Sequence, residues 1–418
     1  MLRPRGIPRN GPVAYAATLM ASDAAAAQQG IATESGLRLQ GIVFFLVAAS
    51  FTAVYITQPV LPVLQVEFGV SETKASLTVS AVILGIALAN LPFGVLADRY
   101  PIRPILLGGA TVVSAASLMC AATKGIWLLI AARFVQGLFI PSLTTCLAAY
   151  LARSLPLSRL NVVMGSYVSA TIAGGLGGRL LGGWIHPPLH WRYAFVTSAA
   201  LLVAAAAAAA RGLPSEPTGR PAEERGTGFV HLLSRPEVLR VLAVSFSAFF
   251  VFSATFNYLP FYVSRPPISA PLNVVTLLYL AYVVGMIAGP LAGKLSNRLG
   301  SGPTMVLGSA VLAIAIACTL VPSLEIIAPS LAFICGGFFS VHAAALGTLN
   351  RRLTGSRGRA NSLYVLFYYL GGAAGISATG WAYSHRGWHG VVVLAIAVLL
   401  VPLGVGLYEL AGQRRARP

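Results

Sequence analysis

The sequence predicts an all-α integral membrane protein of twelve transmembrane helices, arranged as two pseudo-symmetric six-helix bundles. Three observations lead there. Over 418 residues the composition is 56% hydrophobic and 10% charged, against about a quarter charged in soluble domains, which is more apolar surface than a single soluble core needs. The apolar residues gather into runs long enough to cross a bilayer, a crossing that takes about 20 residues at 1.5 Å rise each. A polar hinge also occurs twice. Residues 94–104 read GVLADRYPIRP and residues 293–303 read GKLSNRLGSGP, pairing Gly94 with Gly293, Leu96 with Leu295, Asp98 with Asn297, Arg99 with Arg298 and Pro104 with Pro303 at an offset of 199.

Taken in chain order, residues 1–38 are rich in Ala, Pro, Gly and Arg and are expected to be a disordered cytoplasmic tail. Arg3, Arg5 and Arg9 ahead of VAYAATLM imitate a secretory signal, but the apolar stretch is short and Asp23 follows it. Met20 is an alternative start. Spans 1 to 6 are expected at 41–64, 74–97, 104–123, 126–151, 161–185 and 191–211, an N-terminal bundle over 39–211. The stretch 212–237, GLPSEPTGRPAEERGTGFVHLLSRPE, has the Pro, Gly and mixed charge of a cytoplasmic linker, placed where a duplication needs its seam.

Spans 7 to 12 are expected at 239–263, 273–294, 303–322, 326–349, 361–383 and 388–410, a C-terminal bundle over 238–410, and 411–418 is a basic cytoplasmic tail. The repeat runs on beyond the hinge. Gln136-Gly137 in span 4 matches Cys335-Gly336 in span 10, Asn161 matches Asn361, and Trp191-Arg192 matches Trp388-His389. Six crossings per half make the halves parallel, related by a pseudo-two-fold axis along the membrane normal.

The net charge of +18 invites a nucleic-acid reading, which its distribution argues against. With a cytoplasmic N-terminus, 22 of the 29 Lys and Arg fall in cytoplasmic segments, among them Arg153, Arg159, Arg351, Arg352, Arg414, Arg415 and Arg417. That bias orients both termini to the cytoplasm, and the partners expected are a lipid bilayer and a small molecule rather than nucleic acid. Cys120, Cys146, Cys318 and Cys335 lie scattered in spans with no CxxC, so packing rather than a metal or disulfide is expected of them.

Glycines crowd span 5 (Gly174, Gly175, Gly177, Gly178, Gly182, Gly183) and span 11 (Gly371, Gly372, Gly375, Gly380). Small residues let membrane helices approach closely. The matched places read either as tight packing or as helices that slide, with the match favouring the second.

The hinge between spans 2 and 3 carries Gly94, Leu96, Ala97, Asp98, Arg99 and Arg103, with Pro101 and Ile102 in place of a second Gly and an Arg. Span 4 carries Arg133, Gln136 and Gly137, an Arg-x-x-Gln-Gly run. Span 5 keeps Gly178, Gly182 and Gly183 of a Gly-Pro-x-x-Gly-Gly pattern, with Arg179 where the proline stands. On these residues the chain, from about 40 to 410, resembles the major facilitator superfamily, specifically its twelve-span bacterial drug/proton antiporter-like branch. The resemblance implies a bacterial inner-membrane transporter, not an enzyme, that exports small organic molecules by alternating access and draws on the proton gradient with no bound cofactor. A monomer is expected.

The resemblance also implies that Asp98 latches onto the start of span 11, around Asn361 and Ser362, with a basic residue such as Arg153 nearby. A helix N-terminus favours an anion there. Asn297 lacks the charge, so the second hinge is expected to latch more weakly. Arg133, Gln136 and Gly137 are implied to serve proton coupling or structure.

Other candidates come from the residues themselves. Arg133 and Arg179 sit roughly 10 Å in from the outer ends of spans 4 and 5. An intramembrane Arg costs at least ~2.5 kcal/mol unless paired or wetted, so the two are expected to face inward and form a positive outer vestibule; for Arg179, snorkelling to the surface is the alternative. None of the eleven acidic residues lies at mid-membrane. That leaves His342 in span 10 as the central titratable group, suited to proton exchange or to a hydrogen-bonded place in the core.

Gln58 in span 1 and Asn257 in span 7 fall at the 199 offset. They either meet a polar substrate across the cavity or satisfy backbone freed by the neighbouring prolines. No Walker sequence, HExxH or GxSxG is present, so ATP-driven transport and hydrolytic chemistry have no residues to rest on. The missing carboxylate shifts the expected cargo toward neutral or anionic compounds. A sugar or metabolite exporter, an uptake symporter and, more remotely, a polytopic receptor or sensor are the alternatives.

Overall fold

The computed structural model describes residues 37–213, 228–353 and 357–415. Residues 1–36 of the tail expected at 1–38, the centre of the 212–237 linker and the last residues of the 411–418 tail lie outside these, whereas Leu37 and Arg38 already belong to the first helix. The described chain is helical throughout, and ten of its helices are long and apolar enough to cross a membrane. One of those ten, running to the C-terminal end, is two helices that meet at Gly387 (φ 56°, ψ −145°), a left-handed conformation open to glycine. The helix Leu157–Ile185, its apolarity diluted by glycines and Arg179, is the remaining crossing. Together these give the twelve spans that the sequence predicts.

Span 1 is the one whose course differs. Its crossing helix Leu37–Tyr55 stops nine residues before the expected 64, and a separate short helix follows at Leu61–Phe68. Pro59 has no N–H to continue the ladder, and Pro62 sits in the first turn of the new helix, where its fixed φ is preorganised. Gly69 (φ 59°, ψ 41°) closes that helix in the left-handed conformation.

The next spans are Glu72–Arg99, Ile102–Ala122, Ile126–Ser154, Leu157–Ile185 and Arg192–Gly212. Ser71 starts span 2 by accepting a hydrogen bond from the Lys74 N–H at 3.3 Å. Within the stretch expected as linker, Phe229–Leu233 forms a short helix with Leu232 buried. Spans 7 to 10 follow as Pro236–Val263, Leu272–Leu299, Ser301–Cys318 and Leu324–Arg352. Spans 11 and 12 occupy Arg357–Arg415 on either side of Gly387.

Glycines set how closely the helices approach. In the N-terminal half, a Cβ at Gly174, Gly178 or Gly182 would strike the backbone of Ala48, Thr52 or Ile56, so span 5 lies directly on span 1. In the C-terminal half, Gly371 and Gly375 lie in the same way on Phe246 and Phe250 of span 7. Gly85 and Gly137 join span 2 to span 4, with Leu138 N and Phe134 O only 2.7 Å from a Cβ at Gly85. Tight packing is therefore what most of these glycines do. Gly183 against Thr276 of span 8, and Gly380 against Thr73 of span 2, instead face across the boundary between the halves.

Among the described residues, the bonds across that boundary gather toward one side. Both described ends of the chain lie on one face of the bundle, called here the terminal face. Among the described residues, every hydrogen bond and ion pair between the halves lies between the opposite, far face and the level of Ser80. Arg265 pairs with Glu72. The Thr73 hydroxyl donates to Gly380 O at 3.1 Å. Ser80 Oγ donates to Ala373 O at 3.1 Å and meets Ser377 Oγ at the same distance. Arg179 donates to Tyr282 at 2.8 Å. The halves meet along two seams, span 2 with span 11 and span 5 with span 8. Toward the terminal face, span 5 becomes exposed at Val162 and Val168, and span 8 at Ile287 and Leu291.

Candidate functional site

Arg133 is fully buried. Its Nε donates to Thr78 O at 3.0 Å, its Nη1 to Ala53 O at 2.6 Å and to Gln136 Oε1 at 2.7 Å, and its Nη2 to Val54 O. Ala53 and Val54 are in the last turn of span 1, whose carbonyls the break at Pro59 leaves without helical partners. Gln136 in turn donates to Ser117 Oγ at 2.6 Å. The span 4 motif thus ties spans 1, 2, 3 and 4 together, and Gly137 lets span 2 close on it, with Val82 against its missing Cβ.

Arg179 is also buried, at 2% exposure, so it neither snorkels outward nor lines an open vestibule with Arg133. Each guanidinium finds neutral acceptors inside the protein instead. Arg179 Nε donates to Gln58 Oε1 at 2.6 Å, Nη1 to Gly175 O at 2.7 Å and Nη2 to the Tyr282 hydroxyl at 2.8 Å. The Tyr55 and Tyr282 rings flank it at 3.9 and 4.2 Å, with Tyr279 at 5.5 Å. The sequence did not point to Tyr55 or Tyr282; aromatic residues in apolar spans carry no motif.

Gln58 and Asn257 do not come together as a pair. Gln58 serves Arg179, whereas Asn257 is fully buried with neither side-chain atom hydrogen-bonded among the described residues. Neither is seen to satisfy backbone freed by the prolines. His342 places Nδ1 2.9 Å from the Tyr364 hydroxyl, and Tyr364 O accepts from Ser245 Oγ at 3.2 Å. An aromatic run links the two regions within the C-terminal half. Tyr282 meets Phe252 at 5.4 Å, Phe252 stacks on Phe338 at 3.9 Å, and Phe338 lies 6.0 Å from His342.

On the terminal face, Asp98, Arg99 and the backbone around Gly94 end span 2, and Asp98 is exposed with no ion pair among the described residues. Arg153 donates to Ala97 O, and Arg103 reaches Leu213 O. Asn361 donates to Asn350 at 3.2 Å and Ser362 to Gly358 at 3.1 Å, so the expected latch is not made in this structure. The second hinge is built differently. Arg352, 199 residues after Arg153, pairs with Glu409 of span 12, and Arg351 donates to Ser301 Oγ. These residues line a cleft of about 720 Å³ that includes Asn297. Where the hinge lacks its acid, span 12 supplies one.

On the far face Arg265 and Glu72 join the halves. Partial burial pushes the Arg265 guanidinium down, but the hydrogen bond and charge of Glu72 and contact with Tyr383 outweigh it and hold it above its ordinary value. Opposite charges at the far ends of spans 2 and 7 were the signal available for this pair in the sequence.

The family model of the Major Facilitator Superfamily matches residues 43–350 and 273–414. The Inner membrane transport protein YnfM of Escherichia coli (strain K12) is 29% identical over 381 residues, 90% of this chain and 91% of that protein. The uncharacterized MFS-type transporter YybF of Bacillus subtilis (strain 168) is 26% identical over 366 residues, covering 86% and 90%. Among solved structures, the inward-facing, occupied form of a bacterial homolog to the human lysosomal transporter Spinster superposes with a TM-score of 0.72 at 15% identity, over 91% of this chain and 97% of that one. The doubled six-span architecture, the seams between its halves and a family match over nearly all of the described residues agree: the chain belongs to the major facilitator superfamily of membrane transporters.

Proposed function

We propose that this transporter exports small neutral or anionic organic compounds across a bacterial inner membrane in exchange for protons, as in the drug/proton antiporter branch. The carrying observation is that all cross-half hydrogen bonds among the described residues lie toward the far face, which leaves the terminal face as the open side. Positive-inside charge makes that face cytoplasmic, with both termini there, so the state is the one that loads cargo from the cell. The printed description of YnfM as an inner membrane protein supports the location. Two buried arginines, and none of the acidic residues at mid-membrane in the sequence, disfavour cations.

Transport follows from exchanging which face is sealed. The far-face contacts between neutral groups and the one partly exposed ion pair are worth about 1 kcal/mol each, and the bond from the charged Arg179 about 2 kcal/mol, so they can break in a cycle. Asp98 at the first hinge is then free to latch the terminal face shut. The test is a substrate screen in proteoliposomes with and without a pH gradient. Gradient-dependent efflux of neutral or anionic compounds, with ethidium weakly moved, supports the reading. Strong ethidium efflux, or accumulation rather than extrusion, contradicts it.

A further inference from the structure

We infer that Arg179 is the anchor for the negatively charged group of an aromatic organic anion, which deepens the transport reading above by naming its cargo class. Arg179 is 2% exposed, and no carboxylate lies within 4.0 Å of it among the described residues. Its five N–H groups make three hydrogen bonds, all to neutral acceptors. A buried charge left so incompletely compensated is costly, and a carboxylate presented by a bound molecule would complete it with the strongest geometry available to a guanidinium.

Arg133 supplies the contrast. Equally buried, it makes four hydrogen bonds, all inside one half, and three go to backbone carbonyls of spans 1 and 2. Arg179 meets no such need. Gly175 O is the acceptor one turn before it in its own helix, and Gln58 and Tyr282 offer side chains that can rotate away. Its position is also specific: it lies on the span 5–span 8 seam, one turn from Gly183 against Thr276. A group held there sits between the halves.

The aromatic rings packed around Arg179 define the rest of the ligand. Tyr55, Tyr279 and Tyr282 surround the guanidinium, and the aromatic run through Phe252 and Phe338 extends from it to His342. A flat ring with one anionic substituent matches both features. In the present state the Tyr282 hydroxyl occupies an Arg179 donor, so tyrosine holds the place that the anion takes.

The test uses the purified full-length protein in detergent and three probes of one shape: 2-naphthoate, 2-naphthamide and 2-naphthylmethylammonium, followed by ligand-induced thermal shift and tryptophan fluorescence. The wild type is expected to bind naphthoate about tenfold or more tighter than either matched probe. Arg179→Gln is expected to lose that preference and Arg179→Lys to keep part of it. Tyr282→Phe, which removes the competitor, is expected to tighten naphthoate binding a few-fold. A wild type with no preference for naphthoate overturns the proposal. So does naphthoate affinity unchanged in Arg179→Gln, or, should that variant not fold, unchanged in Tyr282→Phe. Binding in detergent needs no transport, so a protein that binds naphthoate but moves no solute contradicts the transport reading alone. One that exports neutral compounds, moves ethidium weakly and binds naphthoate no tighter than naphthamide contradicts the anchor alone.

Discussion

The hydrogen bond from Arg179 Nη2 to the Tyr282 hydroxyl, 2.8 Å long, is the one hydrogen bond among the described residues that ties span 5 to span 8. The other seam has its own set, from Ser80 to Ala373 and Ser377 and from Thr73 to Gly380. Opening the far face must break both sets. The bonds between neutral groups cost about 1 kcal/mol each and the one from the charged Arg179 about 2 kcal/mol, within reach of the differential binding energy of a cargo molecule or a proton.

Asp98→Asn is expected to slow transport severely with expression and melting temperature unchanged. The carboxylate is exposed in this state, so its charge is not needed for the fold seen here, only for the state with the terminal face sealed. Proteoliposome transport at wild-type rates would remove the latch from the account.

His342→Ala is expected to abolish the dependence of transport on a pH gradient while leaving downhill movement of cargo. The ring nitrogen 2.9 Å from the Tyr364 hydroxyl gives a proton an internal partner on leaving or arriving. Gradient dependence equal to the wild type's would clear His342 of coupling.

Arg133→Met is expected to destabilise the N-terminal half by on the order of 3 kcal/mol, since it strands the carbonyls of Ala53 and Val54 without donors. A lowered melting temperature in detergent checks this, and an unchanged one would make the motif dispensable for structure.

Most of this architecture was legible because the bilayer imposes one requirement on every span: enough apolar residues, with the backbone satisfied within the helix. The number and rough placement of the spans follow from that. The break in span 1 was underread because Pro59 and Pro62 are tolerated in many membrane helices, and only the Arg133 hydrogen bonds show where the freed carbonyls go. Tyr282, Tyr55 and the Glu72–Arg265 pair depend on which helices become neighbours across the two halves, which periodicity does not encode. Arg179 was singled out, but its surroundings differ from the expected open vestibule because neutral partners enclose it.

Glu67, beyond the end of the span 1 helix, offers a pH test on the far face. Partial burial pushes its carboxyl up, but hydrogen bonds from Trp191 and Arg192 and the charges of Arg192 and His190 outweigh that and hold it below the usual carboxylate range. A depressed native value contributes stability above the unfolded value of about 4.3 and loses it as pH falls through the native one. Glu67→Gln is therefore expected to lower the melting temperature at pH 7, by less than ~1 kcal/mol for a partly exposed pair, with the difference vanishing in strong acid. A difference independent of pH would place the effect in packing.

The central claim is that one face opens as the other closes. Double electron–electron resonance with one spin-label pair at Tyr100 and Leu299 on the terminal face, and another at Lys124 and His385 on the far face, all exposed, tests it directly. Glu72→Gln, which removes the charge partner of Arg265, is expected to lengthen the far-face distance while shortening the terminal-face distance. Two distances that move in the same direction, or neither moving in any condition that supports transport, would contradict the account.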